Sequence, residues 1–247
     1  MKLSGAMSIA ACCGLMTLGP QPAIADTATL FPVRDNTLVE SATGSLSNGA
    51  GMYLFAGRTG QVNDSVRRCL IAFDVTGIPS RSMVTGVVLT LHISRAAAAG
   101  THDVQLHRVL ATWGEGTSVG GSGEGAGATA TPGDATWIHA SFGSQQWANP
   151  GGDFAPTTSA TASAGSSGAV TWGSTTQMVA DVQGWVDVPG SAQGWILIGN
   201  EAVARSAKRF VSRQNAVVSM RPSLTVTFDP PTAIEAGTWS RVKELYR

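Results

Sequence analysis

The sequence predicts an all-β chain: a jelly-roll-like antiparallel β-sandwich with long Gly/Ser/Thr-rich loops and a short C-terminal amphipathic helix. Three observations carry that prediction. Apolar and polar residues alternate over short runs, turn-forming clusters separate the runs, and 30 glycines and 11 prolines in 247 residues leave little room for continuous helix. Over residues 86–94, Val87, Leu89, Leu91 and Ile93 share one face, with Val88, Thr90, His92 and Ser94 opposite. Residues 103–110 set Val104 and Leu106 against Gln105 and His107, and residues 223–228 set Leu224, Val226 and Phe228 against Ser223, Thr225 and Thr227. Residues 68–75 and 194–199 are apolar on both faces, as strands between packed layers are. Ser47-Asn48-Gly49, Gly77-Ile78-Pro79, Pro132-Gly133-Asp134, Asn149-Pro150-Gly151-Gly152 and Val188-Pro189-Gly190 supply the turns.

Between Thr176 and Asp187 the apolar spacing turns helical, through Met178, Val179, Val182, Trp185 and Val186, and Gly184 is expected to hold the helix to one or two turns. Residues 114–127, with seven glycines, and the Thr/Ser/Ala/Gly run at 157–168 are expected to be flexible loops.

The termini read differently. Residues 1–25 form a secretory signal: Lys2, an apolar stretch of small residues, the Gly19-Pro20 break and the Ala23-Ile24-Ala25 cleavage pattern, with Asp26 beginning the mature chain. A competing lipoprotein reading takes Ile9-Ala10-Ala11-Cys12 as the box and lipidates Cys12. Either way no transmembrane span is expected, and the chain is placed outside the cell or at its surface. Where Cys12 and Cys13 leave with the signal, Cys69 is the single remaining thiol, so no intramolecular disulfide is expected and Cys69 reads as a small buried hydrophobe. Residues 26–229 make the sandwich domain, and 230–247 a linker and tail. In that tail Thr238 can cap a helix whose stripe of Trp239, Val242, Leu245 and Tyr246 would dock on a protein partner.

Composition excludes several function classes. Sixteen basic and sixteen acidic residues balance, and only 13% of residues are charged, which argues against a nucleic-acid surface. No P-loop, H-E-x-x-H or C-x-x-C occurs. If 86–94 and 103–110 pair as a hairpin, His92 and His107 approach each other, but two ligands fall short of a zinc site. No cofactor is expected. A structural calcium ion would suit loop carboxylates in an exported sandwich, though no dense Asp/Asn loop marks one. Asp103, Glu115, Asp134 and Asp153 are scattered acids, of which Glu115 or Asp153 would serve a lyase or hydrolase. Trp113, Trp137, Trp147 and Trp172 lie in or beside Gly/Thr/Ser-rich loops, where an indole either stacks on a sugar ring or pins its loop. Arg67, Arg68, Arg205, Lys208, Arg209 and Arg213 cluster in two segments that would clamp carboxylates or pair with local acids.

The order of these pieces resembles the DNRLRE-domain family of secreted bacterial and archaeal β-sandwich modules. The resemblance runs through Asp35-Asn36-Thr37-Leu38-Val39, residues 68–79 and 87–91, and His107-Arg108-Val109 with Thr112-Trp113-Gly114-Glu115. It continues through Ala135-Thr136-Trp137, Trp147 with Pro150-Gly151-Gly152-Asp153, residues 181–186, Arg209-Phe210-Val211-Ser212-Arg213, and Arg221-Pro222-Ser223-Leu224. Gln214 departs from it, standing where the family usually has Glu. The resemblance implies a carbohydrate-binding-module-like sandwich acting outside the cell on a polysaccharide or cell-surface glycan, acidic ones such as alginate included. The tail is similar to a Thr-Trp-x-x-(Ile/Val)-Lys-x-Leu-(Tyr/Phe)-Arg ending of some exported bacterial proteins.

The expected function is therefore a secreted, non-catalytic module. Its expected ligand-binding residues are Trp113, Glu115, Trp137, Trp147, Trp172, Arg67, Arg68, Arg209 and Arg213. The alternative is a structural or cell-surface protein docking through its tail, followed by a polysaccharide lyase or hydrolase.

Overall fold

The computed structural model describes residues 25–231, so residues 1–24 of the signal segment and the tail residues Trp239, Val242, Leu245 and Tyr246 lie outside the described residues. Strands dominate. In chain order they are β1 (Asp26–Leu30), β2 (Pro32–Val39), β3 (Leu46–Ser47), β4 (Tyr53–Arg58), β5 (Val66–Phe73), β6 (Met83–Ala96), β7 (His102–Val109) and β8 (Ala128–Thr129). There follow β9 (His139–Ser141), β10 (Gln145–Gln146), β11 (Phe154–Ala164), β12 (Gly168–Trp172), β13 (Trp195–Ile198), β14 (Lys208–Val211) and β15 (Ser223–Asp229), with one helix, α1 (Thr176–Asp187).

All pairings are antiparallel, and the sandwich arises because one sheet folds over. One half runs β1-β15-β6-β14-β4, with β12 also on β6; the other runs β4-β5-β13-β7-β11, with β2 also on β5. β4 belongs to both. Its residues 53–56 pair with β14, while Gly57 and Arg58 pair with β5. The change falls at Gly57, whose φ of +111° is open to glycine and costly for any other residue. A strand that changes sheets at a bend is how sandwiches make corners.

Two cores explain the apolar patterns. Between the halves, Val87, Leu89, Leu91 and Ile93 of β6 and Leu224, Val226 and Phe228 of β15 meet Ile71, Phe73, Leu106, Trp195 and Leu197. A second cluster lies outside the β5–β13 half, where Trp113, Ala135, Ala140 and Trp147 from the segment after β7 cover Leu38, Leu70, Ala72 and Ile196. So Cys69, Ile71 and Phe73 of β5 face one core and Leu70 and Ala72 the other, which is why this strand is apolar throughout. Cys69 is fully buried, and that burial pushes its thiol well above the usual range.

Four local expectations change. β6 and β7 form no hairpin: β6 pairs with β15, β12 and β14, and β7 with β13 and β11, so the chain crosses from one half to the other between them. His92 and His107 therefore sit in different halves, His107 packed 5.3 Å from the Phe154 ring. The 157–168 run is no loop but most of β11, in which Ala160, Ala162 and Ala164 point into the core and pair along β7. Small residues suit that position, because the large indoles of Trp172 and Trp195 fill the same core. The helix α1 is twelve residues long and runs through Gly184. Thr175 caps it by accepting the Met178 N–H at 3.0 Å, and its buried face of Met178, Val182, Trp185 and Val186 outweighs the glycine. Finally, the glycine-rich 114–127 segment is pinned. Buried Asp134 accepts from the Thr117 and Ser118 amides at 2.8 and 3.4 Å, and Gly116 is required because a Cβ there would stand 1.4 Å from Asp134 Oδ1.

Candidate functional site

Three of the four loop tryptophans are structural. Trp113 is 2% exposed, lies under the Arg34 guanidinium at 4.5 Å and donates its indole N–H to the Gln193 carbonyl at 2.9 Å. Buried Trp147 and Trp172 donate theirs to the Thr136 and Val104 carbonyls at 2.9 and 2.8 Å. A sugar needs an indole face open to water, and these three have none. Trp137 alone is half-buried; it stacks under the Arg68 guanidinium at 4.9 Å and lines a shallow depression with Glu40, Ile138 and Pro150.

Most of the expected arginines are likewise committed. Arg68 grips Glu201 through two hydrogen bonds of 2.7 and 3.0 Å and donates to the Gly151 carbonyl. Arg213 grips Glu115 in the same fork geometry at 2.6 and 2.7 Å. Glu115 is correspondingly spent, since Oε1 also accepts the Asp35 amide at 2.9 Å and the Gln214 side-chain amide at 3.0 Å. Arg67 is buried, and that burial pushes its guanidinium down to about 10 against the pull of Glu40 and Asp64. It donates to the carbonyls of Gly125, Asp64 and Val66 and to Gln61 Oε1. These four side chains build the protein rather than offer themselves to a ligand. The carboxylates suggested for hydrolysis are also occupied: Asp153 accepts the Ala148 and Asn149 amides at 2.8 and 2.9 Å.

Arg209 is different. In β14 it stands directly opposite Phe55 of β4 on one side and Arg95 of β6 on the other. Its guanidinium rests 3.9 Å over the Tyr53 ring and donates to Ser94 Oγ at 2.9 Å. Like charges directly opposite on neighbouring strands repel. No ion pair among the described residues offsets Arg95 and Arg209. Arg205 joins them across a groove of about 530 Å³ lined by Phe55, Gln61, Gly125, Arg95, Arg205 and Arg209. It too has no acidic partner among the described residues, and it is held at a φ of +64°, a left-handed backbone unfavourable for a non-glycine residue.

The groove walls are fixed from behind. Arg67 holds both Gln61 and the Gly125 carbonyl in place. Glu124, adjacent in the chain to Gly125, accepts the Met52 and Tyr53 amides of the β4 approach at 3.1 and 3.0 Å. Asn48 ties Glu124 Oε2 to the Tyr53 carbonyl with hydrogen bonds of 3.0 and 2.9 Å. So Arg67, expected to touch a ligand, instead positions the surface a ligand would meet.

The arginine segments of β5 and β14 do share the sheet, separated by β4, but only Arg209 of the expected set faces open space without an acid. Arg95 was missed. Its signal in the sequence is faint: it follows the outward Ser94 at the end of a long alternating strand, and only the β14 register reveals its neighbour. Among the described residues no group of three or more His, Cys, Asp or Glu side chains is placed to hold a metal ion. No helix among them is long and apolar enough to cross a membrane. No protein-family model matches the chain and no curated protein matches it, which leaves the chemistry of this groove to carry the functional assignment.

Proposed function

We propose that the chain is a secreted, non-catalytic module that binds an acidic polysaccharide in the Arg95–Arg205–Arg209 groove. The observation that supports this reading is three guanidinium groups around one groove without a carboxylate among the described residues to neutralise them. Each can grip a uronate carboxylate or a sulfate through two parallel N–H donors. Phe55 and the stem of Arg209 on Tyr53 supply the apolar floor against which a sugar ring packs. The volume lies within the range that holds a few sugar units. With a formal net charge of zero, the attraction is local to the groove, so affinity falls with salt while long-range steering contributes little.

Affinity electrophoresis tests this reading. The protein should be retarded in gels containing a polyuronate, retarded less as salt is added, and unaffected by a neutral glucan. Equal retardation by the neutral polymer, or none by any acidic one, would overturn it.

One observation favours a second reading, a structural or cell-surface protein docking through Trp239, Val242, Leu245 and Tyr246. The buried indoles of Trp113, Trp147 and Trp172 and the paired Arg68 and Arg213 make most of the chain's recognition-type residues part of its framework. Partner capture that depends on residues 238–247, with no retardation on any polysaccharide, would decide for it.

A further inference from the structure

At the junction of β2 with the segments after β7 and β14, two oxygen atoms lack donors. Asp35 is 1% exposed; Oδ2 accepts the Arg213 amide at 2.8 Å, and Oδ1 has no partner. Gln214 donates from Nε2 to the Gly49 carbonyl at 3.2 Å and to Glu115 Oε1 at 3.0 Å. Those two acceptors fix which end of the amide is nitrogen, so its buried Oε1 is an acceptor without a donor. Buried acceptors are ordinarily satisfied, and two orphans in one junction point to a missing hydrogen.

The surrounding charges agree. Glu115 uses both oxygens on Arg213. Arg34, next to Asp35 on β2, donates instead to the Trp113 carbonyl and to Gln193 Oε1, both at 2.6 Å. The titratable group nearby on β5 is the buried Cys69 thiol, opposite Thr37. Asp35 is therefore a buried carboxyl without an ion pair among the described residues, beside a second carboxylate that has one.

We propose that Asp35 folds as the neutral acid, its hydroxyl supplying the hydrogen that Gln214 Oε1 lacks, and that losing this proton loosens the junction of β2 with the 115 and 213–214 segments. Burial is the leading cause that raises the Asp35 carboxyl from its ordinary 3.8 to about 7; Glu115 pushes it further up, and the Arg213 amide and guanidinium pull it down. An acid raised on folding binds an extra proton in the native state. Its contribution to stability is therefore fully present below the unfolded value, declines as pH rises from about 4 to about 7, and is level above that.

The test has two arms. A carbon-13 titration of the side-chain carboxyl in the folded protein should show Asp35 changing state near neutrality. Urea unfolding at about pH 5 and about pH 8 should show the wild type losing stability at the higher pH, with Asp35→Asn removing that loss because its amide donates without titrating. A carboxyl already ionised at pH 5 overturns the proposal whether or not the variant folds. So does a variant that keeps the full wild-type pH dependence.

Discussion

Two clusters of arginine lie on this molecule and have opposite fates. At the β2 junction Arg213 is locked by Glu115, which also holds the Asp35 amide and Gln214. At the groove, Arg95 and Arg209 face each other across adjacent strands with no acid between them, and Arg205 completes the ring from a strained backbone. The first arrangement has its charges answered from within and serves the fold. The second carries like charges unanswered by an acid among the described residues and an unfavourable φ, costs that a fold alone gives no reason to keep. Pairing state, rather than residue type, separates the framework from the proposed recognition surface.

That contrast breaks in graded ways. The largest effect belongs to a framework indole: Trp172→Ala, which empties the core and strands the Val104 carbonyl, should cost about 3–5 kcal/mol in urea unfolding. Next comes Glu115→Ala, which leaves the Asp35 amide, Gln214 and the Arg213 guanidinium without their shared acceptor and should cost about 2–3 kcal/mol. The groove should behave in reverse. Arg205→Gly relieves the left-handed backbone and should stabilise the protein by up to about 1 kcal/mol while weakening retardation on a polyuronate. Smallest in stability is Arg95→Glu, which replaces a like-charge pair by an opposite one: a gain of about 0.5 kcal/mol with polyuronate binding reduced. A destabilising Arg205→Gly or Arg95→Glu would place these arginines in the framework after all.

The strands were legible because alternation is a local property. β6, β7 and β15 coincide with the residues whose apolar side chains repeat every second position, and the two-faced apolar runs became β5 and β13 between two cores. Composition misled where it replaced periodicity. The alanines of 157–168 looked like linker, yet their alternate positions fill the space left by large indoles on β11's inner face. The loop tryptophans were ambiguous for a related reason: a Gly-rich neighbourhood says that the backbone turns, not which way the indole points. The groove was the least legible. Arg209 and Arg95 are distant in sequence and meet only through the β14–β6 register, while Arg67 and Arg213, equally prominent in the sequence, found acceptors that only the folded chain brings within reach.

The most direct test is the affinity of the Arg95→Ala/Arg209→Ala double variant for a polyuronate at low salt, compared with wild type. Loss of two bidentate charge contacts should weaken binding at least about tenfold while the unfolding free energy stays within about 0.5 kcal/mol. Unchanged affinity in a folded double variant would contradict the assignment of this groove as the binding surface.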